Sequence, residues 1–233
     1  MLQWLYSCYA WPVLLLNTII FTSLSVLVGC IDRSGRLSHS FNRLWGKWNL
    51  LAIGIRTERI GMENIPEGQN VIIVANHRSY MDIPVVLAAF PLHCKFVSKD
   101  AVFRVPFIGW AMKATGYISI DRKLKAGNRS SLQQSLEALR AGASLIIFPE
   151  GTIPTDAALG SFHPGAFSLA AKTGVPILPV SLSGTGEILP RHAKLLRPGR
   201  VRVTIHPLIL PQGRKRAELR TAAREAVLSG IDR

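Results

Sequence analysis

A histidine and an aspartate in one short segment have the residue types needed for acid–base chemistry. His77 and Asp82 lie in residues 76–82 (NHRSYMD), directly after the apolar run at 70–75. An imidazole that titrates near neutral pH can take a proton from an alcohol. A nearby carboxylate improves this by fixing the tautomer of the ring and stabilising the imidazolium that forms. The segment is therefore a candidate general-base site.

The spacing of the pair restricts its local structure. Five residues along a regular helix would turn the two side chains about 140° apart. The side chains can therefore meet only if His77 lies in a turn before the helix. The sequence predicts a helix that begins at Ser79, with Asp82 in its first turn. The alternative is that Asp82 only caps this helix and that His77 is an exposed loop residue.

Two further charged segments also follow apolar runs. Residues 116–122 (GYISIDR) end in Asp121 and Arg122, and a guanidinium can hold a phosphate through two parallel hydrogen bonds. The alternative is a local Asp121–Arg122 surface pair of little energetic value. Residues 148–152 (FPEGT) place Glu150 where it could accept hydrogen bonds from a hydroxyl or hold a basic side chain. A tight turn with a solvated Glu150 is the other interpretation.

A fourth segment, residues 175–180 (VPILPV), contains no ionisable group and is therefore structural. It is either a buried core strand or an apolar wall for an acyl chain.

These four segments, in this order, resemble the glycerolipid acyltransferases typified by 1-acyl-sn-glycerol-3-phosphate acyltransferase. The resemblance extends over about residues 60–206. It implies that His77 acts as general base and that Asp82 orients it, while a hydroxyl attacks the thioester of acyl-CoA or acyl carrier protein. No metal or other cofactor is implied. The resemblance further implies a substrate-binding set comprising Lys99, Arg122, Glu150, Gly151 and Thr152.

The third segment departs from the pattern of that family. Many members continue it with Arg and Ser, whereas Thr152 is followed here by Ile153 and Pro154. If the absent arginine binds phosphate, another base must replace it, and Arg191, Lys194 and Arg197 are candidates. Alternatively, the acceptor is not lysophosphatidate but another lyso-lipid, such as a lyso-ornithine lipid.

The elements that must position these residues alternate along the chain. Strands are predicted at 70–75, 95–98, 117–120, 144–148, 177–182 and 201–206, and helices at 81–90, 126–141, 165–173 and 214–229. Short apolar strands between helices predict an α/β fold with a mainly parallel sheet covered by helices. Parallel strands bring their carboxyl ends to one edge, where the polar segments would meet. We find no linker within residues 57–233, which we interpret as one acyltransferase domain.

The N-terminal part, residues 1–56, is predicted to be a membrane-associated two-helix segment. The first 31 residues contain no Asp, Glu, Lys or Arg. As a helix, residues 11–31 would be about 31 Å long, enough to span a bilayer, although a helix within one leaflet is the alternative. Residues 38–56 have a tryptophan-containing amphipathic pattern, which is typical of a headgroup-level helix or of an ordinary core-facing one. The arginines and lysine that follow the apolar run predict a domain on the cytoplasmic face of the inner (plasma) membrane.

The formal net charge of +14 indicates an anionic partner. Residues 188–217 contain eight Lys or Arg and no Asp or Glu. They also contain no aromatic side chain for base stacking, so we predict contact with anionic lipid headgroups and no nucleic acid. A simple solvated face is the alternative for this stretch. A non-catalytic basic membrane-binding protein remains the non-enzymatic alternative for the chain, and the absence of a G-x-S-x-G motif argues against a serine hydrolase.

Overall fold

The chain begins with two helices and continues as an alternation of strands and helices. This architecture is seen in a computed structural model that describes residues 1–121, 125–154 and 158–231, with only the backbone described at 125–128. Among these residues, seven strands form one sheet in the order β1-β7-β6-β2-β5-β3-β4. The strands are β1 Arg56–Ile60, β2 Ile72–Ala75, β3 Cys94–Lys99, β4 Ile118–Ile120, β5 Ser144–Ile147, β6 Ile177–Ser183 and β7 Arg200–Ile205.

The direction of the strands decides which residues meet at each edge of the sheet. All neighbouring strands pair in parallel except β6 and β7, which are antiparallel. The carboxyl ends of β2 to β6 therefore lie along one edge, and the amino ends of β1 and β7 join them there. This confirms the predicted mainly parallel α/β fold.

Helices cover both faces of the sheet. Side chains of β2 alternate between two apolar clusters, with Ile73 in one and Ile72 in the other. The first cluster includes residues of the helices at Arg36–Ala52, Asp82–Ala89 and Ile108–Ala114, and the second includes residues of the helices at Lys125–Arg140, Gly165–Thr173 and Arg216–Ser229. The helices are α1 Leu2–Gly29, α2 Arg36–Ala52, α3 Asp82–Ala89, α4 Asp100–Phe103, α5 Ile108–Ala114, α6 Lys125–Arg140, α7 Gly165–Thr173, α8 Thr185–Ile188 and α9 Arg216–Ser229, with a 3₁₀ turn at Met62–Asn64.

The predicted helix at 38–56 was wrong at its carboxyl end. Helix α2 ends at Ala52, and Gly54 then adopts a φ of 68°. The Arg56 N–H donates to the Gly199 carbonyl at 3.2 Å, and Arg56 begins the edge strand β1, paired with β7. All five residues of β1 are exposed, so this strand carries no alternating apolar signal. The short helices α4, α5 and α8 were not predicted either.

The two N-terminal helices turn their polar residues inward. The buried residues of α2 are mainly polar or small: Ser38, His39, Asn42, Gly46, Asn49 and Leu50. Four large apolar residues of this helix are exposed: Leu37, Leu44, Trp48 and Leu51. Helix α1 shows the same arrangement, with Ser7, Ala10, Thr22 and Ser25 buried. The Tyr6 hydroxyl donates to the Ile53 carbonyl at 2.6 Å, so hydrogen bonds help to join α1 to the carboxyl end of α2.

Candidate active site

The carboxyl end of β2 is fixed by an asparagine. The Asn76 side-chain amide donates to the Leu182 carbonyl at 2.9 Å, and the Leu182 N–H donates to Asn76 Oδ1 at 2.7 Å. This reciprocal pair locks the residue after β2 onto β6. The chain therefore leaves the sheet at a defined point, and His77 comes next.

The structure brings His77 and Asp82 into contact. His77 Nδ1 and Asp82 Oδ2 are 2.7 Å apart. The same carboxylate oxygen accepts hydrogen bonds from the backbone N–H groups of Arg78 at 2.6 Å and Ser79 at 2.8 Å. Asp82 is fully buried, whereas the His77 side chain is 15% exposed. Asp82 thus binds the backbone of the turn and also holds the imidazole, so the structure does not support the alternative in which Asp82 only caps the helix.

The helix that follows begins three residues later than predicted. Helix α3 starts at Asp82, and Ser79 lies in the turn before it. The Ser79 hydroxyl accepts the Met81 N–H at 3.1 Å and donates to the Leu189 carbonyl at 2.8 Å. This second bond ties the turn to the segment after α8, which is a long-range contact that a local capping pattern does not reveal.

The imidazole ring of His77 is held on its face as well as its edge. The ring stacks on Phe148, with centroids 4.3 Å apart and planes inclined by 16°. Because the Asp82 carboxylate accepts at Nδ1, the neutral ring carries its proton there. Nε2 is left with a lone pair that can take a proton from a hydroxyl.

Glu150 supports His77 through the backbone. Its Oε1 accepts the His77 N–H at 2.7 Å, and its Oε2 accepts the Gly160 N–H at 2.8 Å. Burial raises the pKa of Glu150 above its usual value, while the two N–H groups and the charges of Arg78 and His77 act in the opposite direction. In this arrangement both carboxylate oxygens hold the loops of the site.

The remaining predicted substrate-binding residues lie around this centre. Gly151 adopts a φ of 69° in the turn after β5, and Thr152 is exposed beside it. Lys99 is exposed at the end of β3, opposite Ile120 of β4. Since β5 lies between β3 and β2, Lys99 is about 10 Å from the end of β2 at the usual strand spacing. Arg122 lies outside the described residues.

One of the three basic candidates contacts the loop that departs from the family pattern. The Arg191 guanidinium donates from Nη1 to the carbonyl of Ile153. Lys194 and Arg197 are exposed, and the Lys194 carbonyl accepts the Trp11 indole N–H at 2.7 Å. Arg191 is therefore the candidate whose side chain binds the residue directly after the third segment.

Three residues contribute to the site in ways that sequence reasoning missed. Phe148 supplies the stacking surface, Asn76 locks the strand end, and Gly160 binds Glu150 through its N–H. Asn76 and Phe148 lie within the recognised segments, but their roles depend on partners far away in sequence. Gly160 carries no local signal at all.

Comparisons with known proteins agree on the class of protein that this chain resembles. Residues 56–183 match the family model described as Acyltransferase. The chain is 37% identical over 230 residues to a 1-acyl-sn-glycerol-3-phosphate acyltransferase of Chlamydomonas reinhardtii, covering 96% of this chain and 68% of that protein. It is 37% identical over 199 residues to a chloroplastic 1-acyl-sn-glycerol-3-phosphate acyltransferase of Arabidopsis thaliana, covering 84% of this chain. That match spans 55% of the Arabidopsis protein, so the chain corresponds to about half of its length.

A relative with another acceptor and a solved structure also match. The chain is 35% identical over 175 residues to a lyso-ornithine lipid O-acyltransferase of Pseudomonas aeruginosa, covering 68% of this chain and 67% of that protein. The crystal structure of the 1-acyl-sn-glycerophosphate acyltransferase PlsC from Thermotoga maritima superposes with a TM-score of 0.83 at 29% identity. That superposition covers 98% of this chain and 94% of the other.

Proposed function

The chain belongs to the acyltransferase family, and we propose that it transfers a fatty acyl group to the sn-2 hydroxyl of lysophosphatidate, giving phosphatidate for phospholipid synthesis. The acyl donor in this proposal is acyl-CoA or acyl carrier protein. The observation that carries it is the His77–Asp82 contact at the end of β2, which leaves Nε2 available to a hydroxyl. The relatives named for this reaction support the same substrate class.

The proposed reaction is a direct transfer with His77 as general base. Nε2 removes the proton of the acceptor hydroxyl while its oxygen forms a bond to the thioester carbonyl carbon. The tetrahedral intermediate then breaks its carbon–sulfur bond, and the imidazolium returns the proton to the leaving thiolate. The thioester supplies the activated acyl group, so we propose that no further cofactor takes part.

Asp82 and Glu150 are proposed as positioning residues for this step. The Asp82 carboxylate stabilises the imidazolium that forms and holds its ring against Phe148. Glu150 fixes the backbone of His77, so the ring needs no rearrangement when the acceptor arrives. Both contacts are partly buried, and charge-assisted hydrogen bonds shielded from solvent are stronger than in water.

The acceptor is proposed to bind on the side of the site formed by the third segment and the end of β3. Gly151 and Thr152 lie in the turn after β5, where the backbone can approach a glycerol group. Lys99 lies at the end of β3 and would face the acceptor phosphate. Arg122 is proposed as a second phosphate ligand from the family resemblance alone.

The test is acyl transfer by the purified full chain in detergent or vesicles, comparing wild type with His77→Ala. Loss of a general base should lower kcat roughly a hundred- to ten-thousand-fold with lysophosphatidate and an acyl thioester. His192→Ala is a matched control, because His192 is an exposed histidine. A His77→Ala variant that retained wild-type kcat would rule out the proposed mechanism.

A second acceptor, a lyso-ornithine lipid, is favoured by one departure in the site. Ile153 stands where many family members carry an arginine, and a relative with this acceptor in its name matches the chain. The two acceptors should be compared in the same assay. If lysophosphatidate gives no product and the lyso-ornithine lipid is acylated, the acyl chemistry holds and the acceptor changes.

We also propose that residues 1–56 bind the protein to the cytoplasmic face of the inner membrane, with residues 57–233 as the acyltransferase domain. Among the described residues, one helix, α1, is long and apolar enough to cross a bilayer. Only 17% of its most apolar 18-residue stretch is buried. Exposed apolar faces on both α1 and α2 support membrane contact. Whether α1 spans the bilayer or lies in one leaflet is decided by testing the accessibility of an introduced cysteine at each end.

A further inference from the structure

An arginine-rich cleft opens beside the proposed active site, on the side away from Lys99. It has a volume of about 930 Å³ and extends from Arg78 across the ends of β6, β7 and β1. Two glutamates line it, Glu58 and Glu187, and Glu58 forms a 3.1 Å ion pair with Arg202. The five lining arginines are Arg56, Arg78, Arg191, Arg200 and Arg202.

The mixed sheet brings these arginines to the same edge as His77. Because β7 runs antiparallel to β6, Arg202 lies opposite Ser183, near the carboxyl end of β6. Arg200 lies farther out along the same edge and is paired with Arg56 of β1. A wholly parallel sheet would put the starts of β1 and β7 at the opposite edge. The one antiparallel pairing therefore creates the basic cleft.

Glycines shape the region between the arginines. Gly184 adopts a φ of 87°, and a Cβ added there would lie 2.2 Å from the Arg200 carbonyl oxygen. A Cβ added at Gly186 would lie 3.6 Å from the Cβ of Arg78. Because these two residues have no side chain, the turn after β6 can lie close to the backbone of β7, between Arg78 and Arg200.

The distance from His77 to the far side of the cleft distinguishes the acyl acceptor from the acyl donor. Strands β7 and β1 are two and three positions from β2, which is about 10 and 14 Å at the usual strand spacing. In lysophosphatidate the phosphorus is only four bonds from the sn-2 oxygen, about 5 Å at ordinary bond lengths. By the pairing register Lys99 is level with the residue after β2, whereas Arg200 lies four residues farther out along the strands, about 13 Å at the usual rise per residue. An acceptor hydroxyl at His77 therefore leaves its phosphate within reach of the Lys99 side chain but short of Arg56 and Arg200.

The acyl donor has the required reach. In both acyl-CoA and acyl carrier protein, a phosphopantetheine arm of about a dozen bonds separates the thioester sulfur from the first phosphate, roughly 15 Å when extended. We propose that the cleft binds this arm and that Arg56 and Arg200 contact its phosphate. The inference rests on the proposed transfer from a thioester donor and gives that donor a binding site.

The test compares donors with and without the phosphate. The Arg56→Gln/Arg200→Gln variant removes two exposed charges, so a wild-type unfolding temperature is expected. Its KM for acyl-CoA should rise about tenfold more than its KM for the matching acyl-pantetheine, since each lost charge-assisted bond weakens binding. The KM for lysophosphatidate in detergent should stay at the wild-type value. Arg220→Gln on α9, an exposed arginine on another surface, should change none of these values.

The kinetic outcomes decide between occupants of the cleft. Equal changes for the two thioesters would overturn the inference, as would a rise confined to the KM for lysophosphatidate. A rise in KM for acyl-CoA that exceeds the rise for acyl-pantetheine supports the inference. The same selective rise in KM with acyl carrier protein as donor supports it for the protein-bound form of the arm. A loss of vesicle binding without a donor effect would assign the arginines to lipid headgroups and overturn it.

A binding measurement separates this inference from the proposed function. Titration calorimetry of the full chain in detergent, with CoA and with pantetheine, requires no acyl transfer. Wild type should bind CoA about tenfold more tightly, and the double variant should lose this preference. If the enzyme acylates no lyso-lipid but shows that preference, the cleft stands and the proposed function falls. Equal binding of CoA and pantetheine by wild type would overturn the cleft whatever the activity.

Discussion

The N-terminal helices and the sheet domain are built in opposite ways. Every residue of β2 and β6 is buried, and most of them are apolar. In α2 the buried positions are mostly polar, and large apolar side chains face outward. Exposing apolar surface to water is unfavourable, so the outward face of α2 suits a lipid environment and the sheet suits water. The two regions therefore place their large apolar side chains in opposite ways.

The contact between the regions also follows membrane-like rules. A Cβ added at Gly46 of α2 would lie 2.6 Å from the Pro84 carbonyl oxygen of α3, so this glycine permits close helix packing. The Asn42 amide donates to the Thr115 hydroxyl at 2.8 Å. Small residues and interhelical hydrogen bonds are the features that hold helices together in bilayers. Specific polar contacts therefore help to join α2 to the domain, while four of its large apolar side chains face outward.

The largest expected effect is on kcat, and it tests whether activity can be lost without a loss of vesicle binding. Asp82→Asn replaces a carboxylate oxygen that accepts three hydrogen bonds with a neutral amide. The imidazolium loses its counter-charge, so we expect kcat to fall roughly a hundred- to ten-thousand-fold. Co-flotation with anionic vesicles should remain at the wild-type level.

A matched control for this substitution is Asp100→Asn, because Asp100 is 38% exposed and pairs with Arg104 on the surface. It should keep activity within about twofold, as expected for a surface ion pair. If Asp82→Asn lost activity and vesicle binding together, catalysis and vesicle binding would not belong to separate regions of the molecule.

The next effect concerns the outward face of α2. Leu44→Ser, Trp48→Ser and Leu51→Ser together remove three exposed apolar side chains. At about 1 kcal/mol for each partly buried side chain, vesicle affinity should fall roughly a hundredfold. The unfolding temperature in detergent should change little, since all three side chains are exposed. Co-flotation and thermal unfolding measure the two quantities.

The control uses exposed leucines elsewhere, Leu210→Ser and Leu228→Ser, which are 56% and 50% exposed. Their loss should leave vesicle binding unchanged. A triple variant of α2 that bound vesicles normally but unfolded at a lower temperature would show that this face belongs to a protein core.

Local sequence signals predicted those parts of the molecule that depend on local physics. Apolar runs located β2, β5 and β6 because buried strands need apolar side chains on both faces. The five-residue spacing of His77 and Asp82 correctly required a turn before α3. The acyltransferase class was confirmed by the family match. The proposed role of each site residue stays a prediction.

Features that depend on distant partners could not be predicted. Strand β1 has five exposed residues and forms through pairing with β7, which lies far along the chain. Glu150 holds the backbone of His77, a contact that no composition or spacing indicates. The bond from Arg191 to the Ile153 carbonyl joins two loops whose residues are 38 positions apart in sequence. Each of these requires knowledge of which segments meet.

The buried polar face of α2 offers a test through pH. His39 Nε2 lies 3.1 Å from the Leu92 carbonyl oxygen and 3.3 Å from the backbone nitrogen of Cys94, and Nδ1 lies 2.9 Å from the Tyr117 hydroxyl. Burial lowers the pKa of His39 to about 3, with the charges of His93 and Arg43 acting in the same direction. The unfolded chain, with a histidine pKa near 6.5, therefore binds more protons than the folded one between about pH 3 and pH 6.5.

Stability from a neutral buried His39 is complete above about pH 6.5 and is lost as the pH falls below it. From pH 7.5 to 5.5 this group should cost about 1 kcal/mol, or a decrease of about 2–4 °C in unfolding temperature. His39→Gln replaces the ring with an amide that donates and accepts hydrogen bonds but does not titrate, so its decrease should be smaller than that of wild type by this amount. His192→Gln, at an exposed site, should behave like wild type. Equal pH dependence in wild type and His39→Gln would mean that α2 separates before the domain unfolds, and the polar contacts would then not join the two regions.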